Sequence, residues 1–393
     1  FIGWCAAGAG SVTGNVNFFV GSYTGKSLTS GGCNFFYGPL AGFANDTGND
    51  NIFFGAWAGR DNTSGDANIA MGCNTLYNNG SSCYNIALGI EAGRCNSGNS
   101  NVFFGMFAGK CNTGGRCNVF IGNYAGQGAA SSGGTGHNNI AIGCNTLKNN
   151  LTTACYNVAI GPAAGQCIST GGHNLMFGAW SGDKITTGDR NVNIGISAGC
   201  AISDGDYNIF LGNYAGRGGV SSPSTNTASH NVVMGMCAGL LLTTGCCNVF
   251  LGREAGKYTT TGYNQIAIGS HALEKNCTGG QSVAIGYKAL CTNQNPIGNV
   301  AVGPNAGKAG SGNYNVFFGS YAGGQGSPQD CNTFIGYMAG VRNSGRRNVA
   351  LGHGALCGSA TGCTGCDNIA IGSGSLACIQ NADKNIAIGC VAG

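Results

Sequence analysis

One short motif recurs along the whole chain: a glycine preceded by a short apolar segment, which itself follows an asparagine. This motif glycine occurs 23 times, from Gly3 to Gly389, and consecutive copies lie 16 to 18 residues apart except for three spacings of 21, 23 and 20. Of the 22 copies with a residue four places before the glycine, 20 have asparagine there; the exceptions are Gln265 and Ser282. A strict short period is typical of one structural unit stacked on itself. We therefore expect a single continuous repeat domain over residues 1–393.

The repeat at residues 51–67 carries the signals for a strand followed by tight corners. Ile52-Phe53-Phe54 is rich in strand-forming residues, and Gly55 ends the strand where φ is positive or another backbone approaches closely. The polar residues after it predict a turn, and stacked coils are about 4.8 Å apart. The sequence thus predicts an all-β fold, a parallel β-solenoid (β-roll) of about 23 coils with a period of about 17 residues.

The three long spacings come from extra residues near 127–137, 217–230 and 357–367. All three insertions lie in the polar segment between the motif glycine and the next asparagine. Because only a solvent-facing corner of a solenoid tolerates extra residues, we expect the insertions to leave the strands undisturbed.

The size of one strand residue predicts a shared interior space. The residue two places before the motif glycine is mostly Phe or Ala, and the fourth residue after it is mostly Gly or Leu. Leu at the later position never occurs in a coil with Phe at the earlier one, which indicates that both side chains point into a space too small for the pair. The six coils with Leu pair Ala70 with Leu76, Ala141 with Leu147, Ala267 with Leu273, Ala284 with Leu290, Ala350 with Leu356, and Ala370 with Leu376.

The asparagine that begins each strand is expected to be buried and to hydrogen-bond with its counterparts in adjacent coils, as a ladder. Each rung is worth about 1 kcal/mol, because an apolar replacement leaves neighbouring amides unsatisfied. The ladder is expected to include Asn51, Asn68, Asn85, Asn101, Asn118, Asn139, Asn157, Asn174, Asn191 and Asn208.

Composition excludes several classes of partner. Charged residues are only 8%, so we expect Asn, Ser, Thr and Gly to cover the surface. A net charge of +4 spread over 393 residues is too weak for a nucleic-acid footprint. No apolar run approaches the roughly 18 residues that cross a bilayer, so no membrane insertion is expected.

The 22 cysteines favour an oxidising compartment and a disulfide-braced, secreted or surface-attached protein. Three pairs are candidates for disulfides, two within a coil and one between adjacent coils: Cys73 with Cys83, Cys144 with Cys155, and Cys95 with Cys111. Cys5 and Cys390 are candidates for bonds between subunits. Zinc is the alternative, since Cys363 and Cys366 form a C-x-x-C with Cys357 and Cys378 nearby. Five sequons mark candidate glycosylation sites: Asn45, Asn62, Asn79, Asn150 and Asn276.

No residue pattern indicates catalysis. The five histidines lie in different coils and are not expected to cluster with carboxylates, and the 14 acidic residues form no recurring facing pair. Glycine-rich stretches do not precede a helix, so no phosphate loop is expected. We therefore expect no enzyme activity, no cofactor and no metal.

The motif copies 139–143 (Asn-Ile-Ala-Ile-Gly) and 385–389 resemble the head repeats of YadA-like trimeric autotransporter adhesins. The copy at 118–126 is similar to repeats in the shafts of phage-type tail fibres. The resemblance implies a left-handed β-roll, commonly trimeric, that acts in a surface fibre or adhesin.

From these observations we expect a structural subunit of an extracellular or virion-surface fibre. It would assemble with itself, head to tail into a filament or as a trimeric fibre. The alternative is an adhesin or receptor-binding fibre shaft, in which the loops at 127–137 and 217–230 contact a host or surface glycan.

Overall fold

A computed structural model describes residues 2–6, 13–128, 134–149, 152–219, 226–358 and 363–393 of the chain. These residues belong to two compact units, Phe1–Asn193 and Ile194–Gly393. Each unit is a parallel β-solenoid with the predicted period of about 17 residues, and the described residues include no helix. The prediction of an all-β solenoid is therefore confirmed.

The first unit stacks ten three-residue strands in sequence order, each pairing in parallel with the one before it. The pairing is in register, so that Phe53 lies between Phe36 and Ala70. Ile2 adds an isolated parallel bridge to Val20. The strands are β1 Phe18–Val20, β2 Phe35–Tyr37, β3 Ile52–Phe54, β4 Ile69–Met71, β5 Ile86–Leu88, β6 Val102–Phe104, β7 Val119–Ile121, β8 Ile140–Ile142, β9 Val158–Ile160 and β10 Leu175–Phe177.

The second unit repeats this arrangement, and β11 (Val192–Ile194) falls where the chain divides. Register survives the long spacings: Val232 pairs with Ile209 across 23 residues, and Ile369 pairs with Val349 across 20. The strands are β12 Ile209–Leu211, β13 Val232–Met234, β14 Val249–Leu251, β15 Ile266–Ile268, β16 Val283–Ile285, β17 Val300–Val302, β18 Val316–Phe318, β19 Thr333–Ile335, β20 Val349–Leu351, β21 Ile369–Ile371 and β22 Ile386–Ile388.

The motif glycine is required for the reasons that its position suggested. Gly55 has φ of 140°, and a Cβ there would lie 2.5 Å from the carbonyl oxygen of Gly72 in the next coil. A side chain would therefore collide with a backbone that is itself fixed by hydrogen bonds. The close stacking of corners is what keeps every strand in register.

A column of side chains from successive strand centres fills each unit. Phe36 is fully buried and stacks on Phe19 and Phe53 with ring centroids 4.8 Å apart. Where the strand centre is Ala70, the fully buried Leu76 of the same coil occupies the space. These contacts confirm that Phe and Leu compete for one interior space.

The glycines at the fourth position after the motif glycine explain the coils that have neither Phe nor Leu. Ala87 is followed by Gly93, where a Cβ would lie 2.6 Å from Phe103 of the next coil and 2.8 Å from Leu76 of the preceding one. The neighbouring coils thus fill the space that the small pair leaves. Packing is therefore shared among adjacent coils rather than contained within each.

Candidate functional site

The asparagines that begin the strands form a hydrogen-bonded ladder inside the solenoid. The side-chain Oδ1 of Asn34 accepts from both the backbone N–H (3.0 Å) and the Nδ2 (3.2 Å) of Asn51, whose Nδ2 also donates to the carbonyl of Gly65 (2.8 Å). Asn68 repeats this pattern on Asn51. In the first unit the backbone N–H contact to the preceding rung continues from Asn85 through Asn101, Asn118, Asn139, Asn157 and Asn174 to Asn191.

The second unit carries its own ladder, and among its described residues the backbone-to-amide hydrogen bonds are interrupted between Gln265 and Ser282. Asn231 bonds to Asn208, and Asn248 to Asn231. Gln265 then keeps its backbone bond to Asn248, but its own Oε1 is buried without a hydrogen-bond partner. The shorter Ser282 accepts from the backbone of Asn299 at 3.3 Å, after which the backbone N–H of Asn315 again bonds to the Asn299 amide at 2.7 Å. The interruption therefore coincides with the two departures from asparagine.

A second asparagine ladder lies in the first unit, where sequence reasoning expected glycosylation sites. Asn62, fully buried, donates from Nδ2 to Oδ1 of Asn45 at 2.7 Å, and Asn79 donates likewise to Asn62 at 2.9 Å. Asn96 and Asn112 extend the ladder. Because these amides are interior, a glycan on Asn45, Asn62 or Asn79 is incompatible with the fold.

The two remaining sequons give no support to the prediction of glycosylation. Asn276 is fully buried, and its Oδ1 accepts the backbone N–H of Gly279 at 2.9 Å. Asn150 lies outside the described residues. Sequence reasoning failed here because an Asn-x-Thr step also serves an interior asparagine that precedes a turn.

The predicted disulfides are a further correction, because the described cysteines form no disulfide bond. The pairs Cys73 with Cys83, Cys144 with Cys155, and Cys95 with Cys111 are therefore unbonded. Cys83 and Cys155 accept backbone N–H groups of the preceding coil at 3.3 Å, from Asp66 and His137. Cys95 and Cys111 occupy the same position of adjacent coils, where in-register side chains lie parallel to one another. The recurring positions of cysteine thus reflect stacking rather than pairing.

The cysteines at the end of the chain do not assemble the alternative zinc site. Cys363 is buried and accepts from the amide of Asn343 at 3.7 Å, whereas Cys366 donates to the carbonyl of Thr364 at 3.5 Å. In the part of the chain that the structure describes, no cluster of three ligands includes Cys357, Cys363, Cys366 or Cys378. Cys5 and Cys390, the candidates for bonds between subunits, are exposed.

One histidine does cluster with carboxylates, contrary to expectation. His271 Nδ1 lies 2.9 Å from Oε2 of Glu274 and 3.5 Å from Oε2 of Glu254. Sequence reasoning missed this cluster because the two glutamates were not compared by position within the coil. Glu254 and His271 each stand two residues after a motif glycine in consecutive coils, and that shared position is the signal that finds them.

The largest departure from expectation is the surface of the sheet. In every strand the middle residue is buried, and the first and third residues point outward; we call these outward residues the outer sheet face. They are hydrophobic in all 22 strands of the described chain except at Thr333. The most exposed in the first unit are Phe104 and Phe177, each at 52%, followed by Phe18 at 50%. The strand asparagines are buried, as expected, but hydrophobic side chains share the surface that composition assigned to Asn, Ser, Thr and Gly.

The outer sheet face is also regular. Phe18 stacks on Phe35 with centroids 4.9 Å apart, and Tyr37 stacks on Phe54 at 4.8 Å, so side chains of adjacent strands stand parallel. Hydrophobic area of this extent on a monomer is uncommon and typically marks an interaction site.

The described residues of the inserted corners present no large exposed hydrophobic side chain. This statement leaves out residues 129–133, 220–225 and 359–362, which lie outside the described part of the chain. The described residues also contain no helix with the length and apolar character needed to cross a membrane. No family model and no curated protein sequence matches this chain. The assignment of a role therefore depends on the geometry of the outer sheet face.

Proposed function

We propose that the protein is a structural, non-catalytic subunit that assembles with copies of itself through the outer sheet face to build a fibre. The observation that carries the proposal is the hydrophobic character of this face in each unit, at every outward strand position of the described residues except Thr333. The asparagine ladders and the in-register backbone hydrogen bonds support a rigid element, since both run from coil to coil along each unit.

The size of the face is compatible with an interface between copies. In the first unit ten strands at about 4.8 Å and three residues at about 3.3 Å give a footprint of about 450 Å². Two copies facing each other would bury about 900 Å² per pair of units, which is near the lower limit for specific interfaces. Contact area does not convert to affinity at a fixed rate, so the hydrophobic character of the face and the match between two such faces carry the argument.

The regularity of the face favours another copy as the partner. Its side chains repeat at the spacing of strands, so the best complement is a surface with the same period. A second copy of this chain has that period and the same lack of charge in its strands. Hydrophobic residues from two such faces interdigitate as they do between packed sheets.

The two features that predicted secretion differ in the structure: the described cysteines form no disulfide bond, and the described sequon asparagines are buried.

Electron microscopy of the purified full-length protein tests the fibre role. We expect filaments or bundles from the natural sequence and none from Phe54→Lys/Phe104→Lys, which places two charges on the outer sheet face. The matched control is Tyr84→Lys/Tyr156→Lys, which changes two exposed aromatic residues of the same unit that lie off the face. Dispersed particles from the natural sequence, or equal loss of filaments in both variants, would overturn the proposal.

A further inference from the structure

Positive charge in the first unit is concentrated at one position of the repeat. Of the eight Lys and Arg residues in residues 1–193, five stand five residues after a motif glycine. We call these five side chains the cation row: Lys26, Arg60, Arg94, Lys110 and Lys148. The outer sheet face ends one residue before the motif glycine, so the cation row belongs to a different part of the coil.

The backbone keeps the cation row in register along the unit. The N–H of Ala44 donates to the carbonyl of Arg60 at 2.8 Å, and the N–H of Asn78 donates to the carbonyl of Arg94 at 2.8 Å. Successive cations are two coils apart, except that Lys110 is one coil after Arg94. Two coils place neighbouring cations about 9.6 Å from one another along the stack.

Aromatic rings occupy the coils between the first three cations. Phe43 and Tyr77 stand at the same repeat position as the cation row. The ring centroid of Phe43 is 5.6 Å from Lys26 Nζ and 5.7 Å from Arg60 Cζ. The ring centroid of Tyr77 is 5.1 Å from Arg60 Cζ and 5.8 Å from Arg94 Cζ. These cation–π contacts restrict the cationic side chains, so a ligand meets charges whose positions are already fixed.

The cation row stays positive after its ion pairs are counted. Asp61 Oδ1 lies 3.2 Å from Arg60 Nη1. Glu91 Oε2 lies 3.5 Å from Arg94 Nη1 and 2.7 Å from Lys110 Nζ. These two carboxylates pair with a row of five cations, which leaves a net charge of +3. The paired cations still reach solvent, since their side chains are 32%, 41% and 25% exposed, in chain order.

We propose that the cation row binds a linear anionic polysaccharide, carboxylated or sulfated, that lies along the first unit. Guanidinium groups donate paired hydrogen bonds to planar anionic groups, and ammonium groups act as point charges. Cations stacked about 9.6 Å apart fit an extended polymer whose acidic groups recur once every two sugar units.

The same observations disfavour a nucleic acid as the partner. B-DNA carries one charge per about 1.7 Å of its axis, a density far above that of the cation row. Single strands bind by stacking their bases on aromatic faces, and the rings of Phe43 and Tyr77 already contact cations of the coils on both sides. A polymer with widely spaced charges and no bases to stack matches the row better.

This binding role goes beyond self-assembly through the outer sheet face and does not depend on it. A fibre would present many copies of the cation row to one polymer, which raises the avidity of binding. A single chain has the complete row and binds the same polymer with lower avidity.

Fluorescence anisotropy of labelled oligomers with the full-length protein tests the proposal. The probes are a sulfated heparin oligosaccharide, a carboxylated polygalacturonate oligosaccharide, a neutral dextran oligosaccharide and oligo(dT). We expect saturable, salt-sensitive binding of at least one acidic oligosaccharide, weaker binding of oligo(dT) and no binding of dextran. Failure of both acidic oligosaccharides to bind would overturn the proposal, as would equal binding of dextran or binding of oligo(dT) at least as tight as theirs.

Arg60→Gln/Arg94→Gln should weaken binding of the acidic oligosaccharide at least about 10-fold, because two charge-assisted contacts are lost. The slope of log affinity against log salt concentration should fall by about one to two. Arg116→Gln/Arg190→Gln is the matched control, since it removes the same charge from exposed arginines of the same unit that lie outside the row. It should leave the affinity and the slope nearly unchanged.

Lys110→Gln/Lys148→Gln is a second variant of the cation row that leaves the contacts of Phe43 and Tyr77 intact. It should also weaken binding, and circular dichroism with urea midpoints shows that each variant is folded. Equal loss of affinity in the row variants and the control would overturn the proposal, because binding would then follow net charge alone. Unchanged affinity in both folded row variants would overturn it as well.

Discussion

Exchanging the interior residues of one coil tests the packing rule that gives the solenoid its core. Phe53 is fully buried and stacked at 4.8 Å on Phe36, so Phe53→Ala should cost about 4 kcal/mol of unfolding free energy. Gly59→Leu alone should cost about 3 kcal/mol, because its side chain enters the Phe53 ring and its φ of 57° strains a residue with a Cβ. Independent effects would add to about 7 kcal/mol.

The double variant Phe53→Ala/Gly59→Leu should instead cost only about 2 kcal/mol. Leucine fills the space that the ring vacates, leaving the backbone strain and the lost ring stacking of about 1 kcal/mol each. The second unit contains this order naturally, where the coil of Phe250 and Gly256 precedes that of Ala267 and Leu273. The expected coupling of several kcal/mol is large for a double-mutant cycle because the two side chains share one space.

Urea unfolding followed by Trp57 fluorescence measures the cycle, since this tryptophan is in the same coil. Native-state hydrogen exchange at the Ile52 and Gly59 amides gives the local free energy, which matters because repeat proteins can open coil by coil. Phe53→Ala with Gly25→Leu, which pairs the same changes in coils two apart, is the control and should be additive. A double variant as unstable as the sum of the singles would refute the shared interior space.

Three further outcomes follow from named contacts. Gln265→Asn should raise the free energy of unfolding by about 1 kcal/mol, because asparagine at this position restores the ladder hydrogen bonds that the buried Gln265 Oε1 lacks. Asn68→Gln should lower the free energy of unfolding by a similar amount, and the urea midpoints of the two variants measure both changes. Burial and the hydrogen bond to a carboxylate raise the pKa of Cys291 to about 11, so mass spectrometry should show its alkylation by iodoacetamide at pH 8 lagging far behind that of exposed thiols. The bidentate hydrogen bond from Arg347 lowers the pKa of Asp367 in the folded protein. Asp367 therefore stabilises the fold at pH values above its pKa in the unfolded chain, about 3.9, and this stabilisation is lost as the pH falls through its pKa in the folded protein. Asp367→Asn should remove that small, salt-sensitive part of the pH dependence in acid unfolding curves.

The repeat made the fold predictable because every coil has the same types of residue at the same positions. Asn51, Phe53 and Gly55 recur at fixed positions: the burial of Asn51 and Phe53 follows from the strand alternation, and the glycine follows from the close approach of neighbouring coils. The mutual exclusion of Phe and Leu was visible in the sequence, because the backbone fixes the interior volume of a coil and only one of the two side chains fits.

Side-chain roles outside the strand were harder to predict. Asn62 is part of a sequon and also of a buried ladder. Only the direction of its side chain, which the sequence does not show, distinguishes a glycosylation site from a ladder position. Cys83 accepts a hydrogen bond where pairing was expected, because parallel stacking aims equivalent side chains alongside one another. The cluster around His271 was within reach, since residues about 17 positions apart are neighbours in space. The outer sheet face was missed because composition averages over the surface and the interior.

Sedimentation equilibrium of the full-length protein at low micromolar concentration tests self-assembly through the outer sheet face most directly. The account predicts a mass that is a multiple of the 39.3 kDa chain for the natural sequence and for Tyr84→Lys/Tyr156→Lys, and a single-chain mass for Phe54→Lys/Phe104→Lys. A single-chain mass for the natural sequence, or an unchanged oligomer when the face carries the two lysines, would contradict it.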